Sequence, residues 1–194
     1  MSSGAARLVP TPSTDYYAVA AAFASLGLSR SEVPLPGADS ASDKEIWLTK
    51  DHQTAAVWIK DDLLDVSYIS VHGRDAEALI EQIRSVLPTD DISRLRARMI
   101  TDRDSDALID SIYRTAVVSC AGFDPQAFAL LQWTLRDPDP LIRRVALLAV
   151  SVTSWSAFSP ILEEMSEQDP VDEVRDQAVR VLSILRPGDN TSAE

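Results

Sequence analysis

The sequence predicts an α+β protein: a small N-terminal three-stranded antiparallel meander with flanking helices, then an all-α stack of about three helix pairs. Three observations lead there. Strand-favouring residues gather in short runs between about residues 45 and 72 and nowhere later. From about residue 90 every segment carries helical spacing. A stretch in which Asp-Pro leads into an apolar helix occurs twice, as "RDPDPLIRRVALLAV" and "EQDPVDEVRDQAVRVL", with Asp137 and Asp169 in matching places.

Taken in order, residues 1–13 read as disordered. In "TDYYAVAAAFASLGLS" Thr14 offers a cap, a helix-forming run follows, and Gly27 stops it. "RSEVPLPGADSASDK", with two prolines, a glycine and small polar residues, reads as a loop. "EIWLT", "TAAVWIK" and "LLDVSYISVHG" are the three strands, separated by the turn-like "KDHQ" and "DD". In "RDAEALIEQIRSVLP" Ala76, Leu79, Ile80, Ile83 and Leu87 form one helical face, and Pro88 ends it. Residues 14–88 are thus expected as a small α+β unit with helices covering one sheet face. Residues 89–186 are expected as helical repeats, and 187–194 as a disordered tail.

The composition narrows the function. The 194 residues are 45% hydrophobic and 25% charged, a globular balance long enough to bury a core. No run approaches the ~20 apolar residues of a membrane span, and "MSSGAARLVPTPSTD" lacks the apolar centre of a signal peptide. A cytoplasmic protein without membrane attachment is the expectation. The single cysteine, Cys120, excludes an internal disulfide and a cysteine-rich zinc site, and is expected as a small buried residue. The formal charge of -12 opposes a nucleic-acid ligand, because phosphate binding needs clustered positive charge; it suits a basic partner. The cations are mostly Arg, with Lys44, Lys50 and Lys60 the only lysines, a bias read as coding preference.

The repeat can be laid out residue by residue. With Asp137 on Asp169, Pro138 meets Pro170, Ile142 meets Val174, Arg143 meets Arg175 and Ala146 meets Ala178. Upstream, Leu130 meets Leu162 and Trp133 meets Met165, so the unit includes a preceding helix and Trp133 is expected in the core. A weaker copy sets Asp104 on Asp137 and Ile109 on Ile142, with Asp110 and Tyr113 in place of the Arg and the small residue. Proline suits a first helical turn and Asp can accept its free amides; the midpoint Ala allows close packing. The recurring Arg is expected to face the acidic turn of a neighbouring unit.

These helix pairs resemble HEAT repeats over roughly 90–186, through Asp137, Pro138, Ile142, Arg143 and Ala146 and their counterparts Asp169, Pro170, Val174, Arg175 and Ala178. The resemblance implies a binding scaffold that uses the surface along the stack. Gln177 and Tyr113 depart from the pattern.

Catalytic signatures do not emerge. His52 and His72 read as turn and strand-end residues, too few for a typical zinc site. "TDRDSDALID" lacks the central Gly and final Glu of a calcium loop, and no phosphate loop or nucleophile elbow is present. No cofactor and no metal are expected. The principal expectation is a non-catalytic protein-binding module or adaptor. An acidic immunity protein neutralising a basic bacterial toxin is one alternative; an enzyme of the HEAT-like lyase or glycosylase type is another. The residues singled out for partner binding are Trp58, Asp61, Asp62, Asp139, Trp155, Glu163, Glu164 and Asp172, exposed aromatics among carboxylates being what a basic partner would meet. Trp155 is expected to be partly exposed, and Trp58 to flank an acidic edge. The sequence leaves the oligomeric state open.

Overall fold

The structure, a computed structural model, describes residues 6–31, 44–101 and 104–186. The chain divides into two compact units, Met1–Asp91 and Ile92–Glu194.

In the first unit the predicted meander is the centre of a larger sheet. Strands β3 (Lys44–Leu48), β4 (Thr54–Asp61) and β5 (Val66–Gly73) pair antiparallel in sequence order. Two two-residue strands, β1 (Arg7–Leu8) and β2 (Ser29–Arg30), extend it to five in the order β1-β5-β4-β3-β2. The expected disorder of residues 1–13 is therefore corrected for the residues described. Leu8 pairs with Ile69, Val9 is fully buried, and Pro10 bridges to Thr89. Two paired residues are too few to show a period of two, which is why the sequence hides them. Residues 1–5, most of the predicted loop and the predicted tail from 187 lie outside the described residues.

Helices α1 (Tyr16–Ser25) and α2 (Ala76–Val86) cover one sheet face. Val19, Phe23, Leu79, Ile80 and Ile83 pack there with Leu8, Ala56, Ile69 and Val71. The cap of α1 is Asp15, accepting from the Ala18 amide at 2.8 Å, rather than the expected Thr14, whose hydroxyl bonds that of Thr11. Gly27 ends the helix region at φ +77°, as its position predicts. Gly73 has φ +122° and a carbonyl of Gln53 where a Cβ would stand, so only glycine fits where β5 leaves the sheet.

The second unit is entirely helical among the described residues. Its six helices are α3 (Ile92–Thr101), α4 (Ser105–Ser119), α5 (Pro125–Thr134), α6 (Pro140–Thr153), α7 (Ser159–Gln168) and α8 (Asp172–Leu185). They form three pairs in which the second helices build a continuous layer, α4 on α6 and α6 on α8. Ala146 and Ala178, matched by the repeat, have no exposed surface, as do Ala116 and Ala149. Small residues at these crossings let the helices close while Ile112, Leu131, Leu147, Leu162 and Val174 fill the interior. Each large apolar side chain so buried contributes about 1.5–3 kcal/mol. Gln177, a departure from the pattern, donates through Nε2 to the Arg144 carbonyl at 2.9 Å, tying α8 back to α6. Cys120 is partly exposed, not buried as expected, because it stands at the end of α4.

Candidate interface on the turn edge of the helical stack

The Asp-Pro turns have two jobs that the sequence merges into one. The helix-starting group in the second pair is Asp139-Pro140: Asp139 accepts from the Leu141 amide at 2.8 Å and Pro140 opens α6. Asp137 and Asp169 instead shape the turn, each accepting the amide two residues on, from Asp139 at 2.9 Å and Val171 at 3.0 Å. The repeated Asp is thus a turn former and not the expected cap.

Asp169 also receives the Arg of the preceding unit. Arg143 Nε and Nη2 donate to its two carboxylate oxygens, both at 2.8 Å. Nη1 donates to the carbonyls of Asp137 and Pro138 at 2.9 and 3.1 Å. The side chains are only 9% and 4% exposed, so every charge of the pair is met inside the protein. Burial by itself would raise the Asp169 pKa; hydrogen bonds from Arg143 and the Val171 amide, with the charges of Arg143 and Arg175, hold it below the ordinary carboxylate value. The prediction that Arg143 faces a neighbouring acidic turn is met. Arg175 closes on its own turn instead, donating to the Asp169 carbonyl at 2.5 Å and to the Asp172 carboxylate.

Around these fixed turns carboxylates stand beside arginines. A shallow groove of about 310 Å³ runs between the second and third turns, lined by Arg136, Asp137, Arg143, Glu164, Gln168 and Asp169 among others. Asp139 and Asp172 are exposed beside it at the starts of α6 and α8. Glu163 is engaged with Arg186 at 2.5 Å, whereas Glu164, one residue on, lines the groove. Four of the carboxylates singled out from the sequence, Asp139, Glu163, Glu164 and Asp172, thus lie in the same two helix pairs.

The tryptophans exchange their expected places. Trp155 is 8% exposed, so its expected exposure is corrected. It follows the left-handed end of α6 and turns inward, stacked on Phe158 at 6.0 Å with the Phe123 edge at 5.0 Å. Trp133, expected in the core, is 52% exposed in the last turn of α5. The cause is a rotation. Helix α5 buries Ala127, Leu131 and Thr134, while α7 buries Phe158 just ahead of it and then Leu162 and Met165. The faces of the two helices thus match one residue out of the sequence alignment. Met165 corresponds to Thr134, and Trp133 corresponds to Glu164. An aromatic ring and a carboxylate occupy one surface position on successive first helices, and Leu141 is exposed at the start of α6.

The remaining three residues singled out from the sequence lie in the first unit. Asp61 is turned into the β4–β5 hairpin, accepting from the Leu63 and Leu64 amides at 3.0 and 3.1 Å. Asp62 is exposed, 3.6 Å from Lys60. Trp58 stands opposite Glu45 in the register and 6.3 Å from the Tyr16 ring, among Arg30, Lys44 and Lys60. The acidic edge expected beside it is corrected: its charged neighbours are mainly cations. His52 occupies a turn at φ +58°, and His72 bonds the Ser70 hydroxyl at 2.7 Å. Among the described residues no cluster of His, Cys, Asp or Glu could hold a metal, and part of the calcium-like "TDRDSD" lies outside them.

Three helix pairs stacked through their second helices, the second and third also joined by the Arg143–Asp169 contact, form a helical-repeat stack. Residues 92–183 match the family model described as HEAT repeats, so this stretch is HEAT-like in sequence and in structure; no family model matches the first unit. No curated protein and no solved structure matches the chain. HEAT repeats usually mediate protein–protein interaction. No described helix is long and apolar enough to cross a membrane.

Proposed function

We propose that the protein is a non-catalytic binding module whose turn edge receives a basic segment of a partner protein. The observation that carries this is Trp133, half exposed on the position that Glu164 occupies in the next unit and close in sequence to Asp137 and Asp139. An indole face attracts Arg and Lys side chains, and neighbouring carboxylates draw them in and fix their register. A partly exposed Trp among charges is also the residue type on which interface energy concentrates.

Affinity capture with three forms of the tagged protein tests the reading: the natural sequence, Trp133→Ala, and Asp139→Lys with Glu164→Lys. A basic protein held by the first and lost by both variants supports it. A partner retained equally by all three overturns the assigned surface. One stoichiometric basic partner would favour an inhibitor of the immunity type and direct a test of that partner for toxicity; several substoichiometric ones would favour an adaptor.

A further inference from the structure

The first unit carries a cavity with the opposite charge to the rest of the protein. About 450 Å³ in volume, it is lined by Tyr16, Arg30, Lys44, Glu45, Trp58 and Lys60. The sheet explains why most of these residues meet; Lys44, the first residue of β3 and opposite Ile59, stands on the alternate position at the strand end. Glu45 is paired with Trp58 across β3 and β4, and Lys60 follows two residues on, which places all three on one face. Arg30 is paired with Trp47, two residues beyond Glu45 on the same strand, and shares that face. Tyr16, the first residue of α1, closes one side, its ring 6.3 Å from Trp58.

The charges do not cancel. Glu45, the one carboxylate in the lining, is already engaged: Tyr16 donates to its Oε2 at 2.5 Å and Arg30 Nη2 to its Oε1 at 2.9 Å. The bond to Glu45, with burial, raises the Tyr16 pKa and keeps the phenol a fixed donor. Lys44 and Lys60 add positive charge that the lining itself does not neutralise; the exposed Asp62, outside the lining, stands 3.6 Å from Lys60. Two of the chain's three lysines stand here, in a protein whose net charge is -12.

We propose that this cavity binds a small molecule that joins a planar ring to an anionic group, the ring against Trp58 and Tyr16 and the anion on Lys44 and Lys60. The volume falls within the range of about 300–1,000 Å³ usual for small-molecule sites. Aromatic walls favour a flat apolar body, and paired ammonium groups favour carboxylate, sulfonate or phosphate. The site lies in a different unit from the turn edge and does not depend on the partner-binding reading.

Titration of the full chain with 8-anilinonaphthalene-1-sulfonate, a ring sulfonate that fluoresces on leaving water, tests the proposal. One saturable site is expected. Lys44→Glu with Lys60→Glu should weaken it by about tenfold or more, as loss of two partly exposed charge contacts and gain of repulsion would. The uncharged analogue 1-anilinonaphthalene should bind the natural protein similarly more weakly, and added salt should narrow the difference. Circular dichroism checks that the lysine variant keeps its fold. No saturable binding, or binding unchanged in the lysine variant, overturns the proposal. So does binding lost in Trp133→Ala instead, which would put the dye on the turn edge.

Discussion

Arg143 joins its own turn to the next through a buried pair with Asp169. Replacing it with Ala strands the Asp169 carboxylate, 4% exposed, without its two donors. Breaking such a buried pair from one side costs about 3–5 kcal/mol, so Arg143→Ala should lower the urea midpoint sharply. Arg175→Ala, whose partners are a carbonyl and an exposed carboxylate, should lower it far less. The same pair sets an acid limit. The folded Asp169 has a lowered pKa, so its contribution is complete above the unfolded value of about 3.9 and is lost as pH falls through the folded one. In Arg143→Met that acid sensitivity should shrink; equal acid midpoints in the two proteins would contradict the assignment. The Arg and Asp were legible in the sequence because they recur at fixed spacing. The exchange of Trp133 and Trp155 was not. Spacing registers that two helices correspond, but a one-residue rotation of α5 against α7 leaves no mark until the buried faces are compared.

Among the elements, α6 and α8 show what a neighbour does to a helix face. Leu147 on α6 has no exposed surface, while Val179, its match on α8, is 55% exposed. Leu147→Glu should unfold the second unit, since an unpaired buried charge belongs to the mutations that cost more than about 4 kcal/mol. Val179→Glu should change stability by no more than about 0.5 kcal/mol. Thermal melts of the two variants give the comparison directly. Asp139→Ala removes the side-chain cap of α6 and should cost about 1 kcal/mol. The helices were readable because ten or more residues repeat an apolar spacing. Strands β1 and β2 were not, since two residues gain their identity from the strand beside them: Leu8 from Ile69, Arg30 from Trp47.

At the scale of the whole molecule, each unit holds its own apolar cluster, one built on Phe23, Ile69 and Ile83, the other on Leu131, Leu147 and Leu162. A unit with a core of its own is expected to fold alone. Residues 92–186 expressed separately should give a helical spectrum and a cooperative melt; a gradual, non-cooperative loss of signal would show the reverse. The charge of -12 sets a second expectation. Association of the turn edge with a basic partner should slow as salt rises through the range where the Debye length falls below about 10 Å. The sequence exposed the acidity at once. It did not show that Lys44 and Lys60 line one cavity, because they lie on different strands and are not opposite each other in the register of β3 and β4.

The contact between Arg143 and Asp169 also gives the stack a growing end. In the second helix pair the guanidinium reaches forward to the next turn; in the first pair its place is taken by Asp110, held by Arg98 at 2.6 Å and Arg114 at 2.7 Å. A copy of residues 155–186 grafted behind α8 would present its turn carboxylate to Arg175, a ready counterpart. The same copy inserted ahead of α5 would present it to Asp110, a carboxylate that already holds the two arginines there. A repeat added behind α8 would thus find a guanidinium at the matching place, and one added ahead of α5 would not.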